Sequence, residues 1–333
     1  MDKIKIAIDA HGGDNAPLEQ IKGGYDAARQ LDVTVVLVGN QEILSGIISE
    51  NGLSHPNLEI ADAREVITND DDVMSAIKTK KDSSMVVGLN MIKAGRADAF
   101  ISAGSTGALM TGATLIVKRI PGVRRAALAP IFITDRDPAM LIDAGANTSC
   151  KPEYFLDFAI MASVYMERVE GITNPRVGLV NIGTELSKGG DNIRSAYDIL
   201  SAAANINFIG NIEARDIPAG VCDVVVCDGF TGNIILKLME GMGIVFYKNL
   251  KEIVKENVFS MLGAALMKKG LMRFKKKIDY HEFGGAPLLG IDGVVIKAHG
   301  SSNARSVFIA AEQAKRFVQN RANDEIKREM EVN

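Results

Sequence analysis

Tryptophan is absent from the sequence, and aromatic residues together make up only 5% of it. Stacking platforms for nucleic-acid bases are therefore not expected, and a net charge of -3 supplies no field to attract a polyanion. Cysteine is scarce as well. Cys150, Cys222 and Cys227 lack metal-ligand spacing and leave an odd thiol, a pattern that suits a reducing compartment. None of the 4 histidines is paired at ligand spacing, so neither a metal nor a cofactor is expected. No apolar run approaches the roughly 18–20 residues that cross a bilayer. The opening Met1-Asp2-Lys3-Ile4 carries no signal-peptide core, and a cytoplasmic protein is the expectation.

Several familiar site motifs are missing too. There is no G-x-x-x-x-G-K-[ST] phosphate loop, and no G-x-G-x-x-G follows a strand. H-E-x-x-H, the G-x-S-x-G nucleophile elbow and the H-x-x-x-x-D pattern of glycerol-phosphate acyltransferases are also absent. Ordinary nucleotide, zinc-protease and serine-hydrolase chemistry is thereby disfavoured.

The 333 residues are 47% hydrophobic, enough to bury a large core. Strand-like apolar runs at 33–38, 58–61, 99–102, 176–182, 206–209 and 224–227 alternate with helical patterns at 18–31, 41–50, 73–80, 83–94, 154–169 and 193–204. That alternation predicts an α/β fold with a mostly parallel sheet covered on both faces. The runs 126–134 and 139–143, split by Asp135-Arg136-Asp137-Pro138, predict a hairpin within it. No linker divides the chain, so 1–333 reads as a single large catalytic domain, with a soft lobe boundary near 151.

Five predicted strands end in loops of one design, rich in glycine and small hydrogen-bonding residues. The first follows residues 4–8 and contains Gly12, Gly13, Asp14 and Asn15, with Pro17 placed to open a helix capped by Asn15 or Asp14. The second carries Gly104, Ser105, Thr106 and Gly107, and the third Gly183 and Thr184. The fourth carries Asp228, Gly229, Thr231, Gly232 and Asn233, and the fifth Lys297, His299, Gly300, Ser301 and Ser302. Glycines let backbone N–H groups approach an anion closely, and the carboxyl ends of parallel strands are where such sheets bind ligands. Convergence of all five on one crevice is the topological expectation. Lys297 and His299 would supply positive charge there. No residue stands out as a covalent nucleophile, which favours direct reaction between two bound substrates.

The strings I-A-I-D-A-x-G-G-D-N-A-P, I-S-A-G-S-T-G-A-L-M, V-N-I-G-T-E, N-I-N-F-I-G-N-I-E-A-R-D, D-G-F-T-G-N and I-K-A-H-G-S-S resemble the bacterial phosphate acyltransferases of phospholipid synthesis. The resemblance runs from Lys5 to about Gln319. His11 departs from it, since the family usually has Met in D-A-M-G-G-D; the imidazole either touches the anion or replaces an apolar packer.

The resemblance implies a three-layer αβα architecture like that of the isocitrate and isopropylmalate dehydrogenases, and a homodimer. It implies that phosphate attacks the thioester of a fatty acyl-carrier protein, giving an acyl phosphate for phosphatidic acid synthesis. Lys297, His299 and Asn233 are then the expected catalytic residues, the remaining loop residues binding phosphate and thioester. A nicotinamide-dependent dehydrogenase on the same architecture is the alternative. Acidic carrier protein would dock on basic residues, with Lys78, Lys80, Lys81, Arg124 and Arg125 as candidates.

Residues 250–278 form an expected helical protrusion. Between Glu256 and Asp279 there is no acidic residue, while Lys268, Lys269, Arg273, Lys275, Lys276 and Lys277 lie among Phe259, Leu262, Leu266 and Phe274. Two short helices bent at Gly270 would present Leu262 and Leu266 to an anionic membrane and Lys268 and Lys269 to its headgroups, or else cover a second subunit. Peripheral attachment would bring the product to a membrane glycerol-3-phosphate acyltransferase.

Overall fold

The computed structural model describes residues 3–278 and 284–332, with the side chains of 275–278 and 332 outside that description. Its strands in chain order are β1 (Lys5–Asp9), β2 (Thr34–Gly39), β3 (Leu58–Asp62), β4 (Ala99–Ser102), β5 (Ala127–Leu128) and β6 (Ile131–Ile133). They continue with β7 (Pro138–Ile142), β8 (Arg176–Asn181), β9 (Asn207–Glu213), β10 (Val224–Val226), β11 (Ala286–Leu289) and β12 (Val294–Lys297). The helices are α1 (Leu18–Gln30), α2 (Gln41–Glu50), α3 (Val73–Thr79), α4 (Ser84–Lys93), α5 (Thr106–Gly112) and α6 (Pro152–Arg168). After them come α7 (Asp191–Ala202), α8 (Gly229–Lys255), α9 (Val258–Leu266), α10 (Lys268–Ile278), α11 (Ala304–Gln319) and α12 (Ala322–Val332).

The strands make two sheets. One has the order β3-β2-β1-β4-β12-β11-β5, parallel from β3 to β12, and the other β6-β7-β10-β8-β9, parallel from β7 to β9. Helices flank both, giving the α/β layering that the alternating pattern predicts. The central strands are buried on both faces, which is why they read as unbroken apolar runs. One hydrophobic cluster runs beneath both sheets, joining Ile8 and Ile101 to Leu179 and Val226 through Phe155 and Phe158 of α6. Tyr165 of the same helix packs edge-on against Phe317 of α11 at 5.0 Å and accepts a hydrogen bond from Gln313 Nε2 at 3.1 Å.

Four local departures from the sequence expectation have physical causes. The run 126–134 is two strands, because Ala129 N–H donates to Pro287 of one sheet while the Pro130 carbonyl accepts from Leu141 of the other. Pro130, which has no N–H, marks the crossing. Strand β9 is longer than expected because Ile209 bulges, leaving Gly210 at φ +100 opposite Gly178. Pro17, not Asn15 or Asp14, occupies the N-cap position of α1, and the Asn15 amide donates elsewhere. The break between α9 and α10 is at Met267, whose N–H closes α9 on Gly263 and Ala265, so Gly270 lies inside α10.

Candidate active site

The loops after β1, β4 and β12 meet through their backbones. Asp14 N–H donates to Gly300 O at 2.8 Å, and Asn15 Nδ2 donates to Ser301 O at 3.2 Å and Ser302 O at 3.3 Å. A Cβ on Gly12 would lie 2.7 Å from Gly104 N, and Gly13 adopts φ +100 with Gly300 O 2.9 Å from its Cβ position. Only glycine allows these approaches. Beneath them the buried Asp9 carboxylate accepts Ser102 Oγ at 2.6 Å, and Ser102 Oγ accepts Gly104 N–H at 3.1 Å. Gln20 Nε2 of α1 completes the clamp by donating to Gly12 O at 2.6 Å.

Lys297 ends β12 with its ammonium donating to Ala103 O at 3.3 Å and to Ala298 O. Burial lowers its pKa to about 8; Asp9 and Asp14 oppose the shift, and the nearby charge of Lys237 adds to it. His299 Nδ1 accepts Ser301 N–H at 3.2 Å and lies 2.8 Å from Ser301 Oγ. An Nδ1 that accepts a backbone N–H places the proton of the neutral ring on Nε2, making Nε2 a donor.

These residues open into a cavity of about 630 Å³. Its polar lining includes Thr106, Asn233, Lys237, Glu240, Lys297 and His299. Its apolar lining comes from β5 to β7, with Leu128, Phe132 and Leu141, and from α8, with Met239, Met242 and Phe246. A polar cluster on strand ends beside a long apolar wall suits an amphiphilic ligand with a small anionic or carbonyl head.

Thr106, Asn233, Lys297, His299 and Gly300 thus share the cavity lining, with the loop glycines and Asp14 and Asn15 as the frame behind it. Ser105 holds the N-cap position of α5, and Gly107 is exposed beside Val73. Ser302 is fully buried, and its hydroxyl has no partner among the described residues.

The third loop does not join this crevice, and of the fourth only Asn233 does. Asp228 caps α8, accepting Thr231 N–H at 2.8 Å and Thr231 Oγ1 at 3.0 Å. Gly229 and Gly232 pack α8 against the 143–147 loop; a Cβ on Gly232 would fall 1.9 Å from Asp143 O. That loop is organised by the buried Asp143, whose carboxylate accepts the N–H groups of Leu128, Ala146 and Asn147. The loop holding Gly183 and Thr184 follows β8, next to a separate cavity of about 650 Å³ lined by Asn181, Lys188, Asp228 and Thr231. Expected convergence of five loops is corrected to three plus the start of α8. The two cavities lie against opposite faces of α8, with Asn233 and Lys237 on one and Thr231 and Ile234 on the other.

His11 points away from the glycine loops. Its Nε2 accepts Asn40 N–H at 3.0 Å, in space left by the missing side chain of Gly39. Of the basic residues, Lys80 pairs with Asp71 at 2.7 Å, Arg124 pairs with Asp157, and Arg125 lies over the Tyr154 ring. Sequence reasoning missed Lys237 and Glu240. The spacing of Asn233, Lys237 and Glu240 at i, i+4 and i+7 places all three on one helical face and was the available signal.

Helix α9 buries none of its residues, and Leu262 and Leu266 are 60% and 90% exposed. Lys268 and Lys269 are exposed at the start of α10; the side chains of Lys275, Lys276 and Lys277 lie outside the described residues. Among the described residues no helix is long and apolar enough to cross a membrane.

Residues 4–325 match a family described as fatty acid synthesis protein. The chain is 50% identical over 329 residues to a phosphate acyltransferase of Thermoanaerobacter pseudethanolicus, covering 98% of each. Among solved structures it is similar to the EutD phosphotransacetylase of Staphylococcus aureus, with a TM-score of 0.64, 16% identity, and 95% and 94% of the two chains covered. It also shares its fold with a 4-hydroxythreonine-4-phosphate dehydrogenase of Burkholderia phymatum, with a TM-score of 0.52, 14% identity, and 95% and 98% covered.

Proposed function

The chain belongs to the phosphate acyltransferase family of fatty acid synthesis, and from that premise we propose that it transfers a fatty acyl group from acyl-carrier protein to inorganic phosphate. Membership makes it an acyltransferase and sets aside the nicotinamide-dependent alternative, since its likeness to a dehydrogenase is one of fold at 14% identity.

The observation that carries this reading is the cavity, in which the lysine and histidine of the β12 loop face the same space as an extended apolar wall. Phosphate already holds an anionic oxygen, so a strong protein base is not required. That oxygen forms a bond to the thioester carbonyl carbon, negative charge moves to the carbonyl oxygen, and the C–S bond then breaks. The carrier thiolate leaves and takes up a proton, and acyl phosphate remains. Lys297 supplies charge to the phosphate, the Nε2–H of His299 donates toward the developing oxyanion, and Asn233 orients one of the two substrates. Asp228, Gly229, Thr231 and Gly232 support Asn233 by fixing the start of α8. The acyl chain lies against Phe132, Met242 and Phe246.

The proposed setting is cytoplasmic and peripheral. A second copy covers the exposed stripe Phe230, Ile234, Leu238 and Val245 on α8. The apolar tip of α9 and the lysines of α10 meet anionic lipid, delivering the acyl phosphate to a membrane glycerol-3-phosphate acyltransferase.

Release of free carrier thiol, followed with and without inorganic phosphate, tests the reaction. Phosphate-dependent release that falls about a hundredfold or more in Lys297→Ala and His299→Ala is expected. Release that ignores phosphate rejects the reading.

A further inference from the structure

Resting on the acyl-transfer reading, we propose that Lys237 is the second cation of the phosphate site, leaving Glu240 to face Lys297 across the cavity when the anion enters. Lys237 and Lys297 are the two lysines among the described residues of the cavity lining, which includes no arginine. Lys237 Nζ lies 2.8 Å from Glu240 Oε2, with the lysine side chain 53% exposed and the carboxylate 18% exposed. The carboxylate is the more buried partner and the lysine the more exposed one. A half-exposed pair of this kind is weakly held, and the flexible lysine stem lets the ammonium change partners.

The charges call for such an exchange. A phosphate group near neutral pH carries roughly -1.5 to -2 charges, more than one ammonium neutralises. Lys237 opposes protonation of Lys297, a like-charge arrangement that an intervening anion relieves. The thioester carbonyl is uncharged, so Lys237 acts on phosphate and not on the acyl donor. Glu240 holds the lysine's charge between turnovers. The titratable groups around Lys297 are Asp9 and Asp14 from β1 and its loop, Lys237 and Glu240 from α8, and His299 from its own loop.

Thiol release by the full chain, with phosphate and donor varied separately, tests the assignment. Lys237→Gln, at an exposed helical position, is expected to raise the phosphate KM about tenfold to a hundredfold and to leave the donor KM unchanged. Lys237→Arg restores most of the loss, and Glu240→Gln lowers the phosphate KM. Lys237→Gln also moves the alkaline limb of the phosphate kcat/KM profile to higher pH, a readout that a merely structural lysine would not move. Calorimetric titration with inorganic phosphate separates the two levels of inference. Weakened phosphate binding by Lys237→Gln in a protein without phosphate-dependent thiol release would sink the acyl-transfer reading and keep this site. Wild-type thiol release with a phosphate KM unchanged in Lys237→Gln overturns the role of Lys237.

Discussion

Ser102 Oγ lies 2.6 Å from Asp9 Oδ2, and with both side chains buried this contact ties two adjacent parallel strands where the chain leaves the sheet. Ser102→Ala removes a donor from a buried carboxylate and the acceptor from Gly104 N–H. A loss of about 1.5–3 kcal/mol in denaturant unfolding is expected, together with a raised phosphate KM. An unchanged unfolding midpoint would show that the clamp is not holding the loops.

The glycines of the two loops differ in what a methyl group would meet. On Gly12 it would lie 2.6 Å from Asp9 Oδ2 and 2.7 Å from the backbone nitrogen of Gly104; on Gly104 its nearest neighbour is the movable Met85 Cε at 3.1 Å. Gly12→Ala is therefore expected to destabilise by about 1–3 kcal/mol, and Gly104→Ala by clearly less. Gly104→Ala is the variant that reports on phosphate use in a stable protein. Equal stability of the two would contradict this packing.

Burial lowers the Lys297 pKa from 10.5 to about 8. The ammonium is present below that pH and lost above it, so kcat/KM for phosphate falls as pH rises through about 8, by about tenfold per unit beyond it. Lys297→Arg, whose guanidinium stays protonated, should remove that decline. A decline that persists in Lys297→Arg assigns the titration to another group.

Leu262→Glu combined with Leu266→Glu places two carboxylates at the exposed tip of α9. Sedimentation with anionic vesicles is expected to be abolished, while thiol release and oligomeric size by light scattering stay as in the wild type. Loss of the proposed dimer would instead show α9 packing on a second subunit, and undiminished sedimentation would place the lipid contact elsewhere.

Much of the architecture was readable because parallel strands buried on both faces leave unbroken β-branched runs, as in residues 34–39, and because glycine pairs mark where they end. The crossing at Pro130 was hidden inside a continuous apolar run, since periodicity does not say which neighbour a strand takes. The candidate site was partly readable. Glycine, serine and threonine announce a loop, but the sequence does not say which loops share a space. Gly229 and Gly232 look like ligand glycines and instead admit the backbones of Asn147 and Asp143. Lys237 and Glu240 were missed because what sets them apart is Lys297, far along the chain and near Lys237 only in space.

Helix α8 carries one more consequence. Phe246, at the cavity wall, and Ile253 are seven residues apart and so on the same helical face, 55% and 61% exposed, with Leu250 half-buried between them. They cover about 10 Å along the axis and end shortly before α9 begins. For the acyl product proposed above, this makes a greasy rail out of the reaction chamber. A long chain can slide along it without ever being dispersed in water, so its poor aqueous solubility need not set the rate at which the enzyme empties.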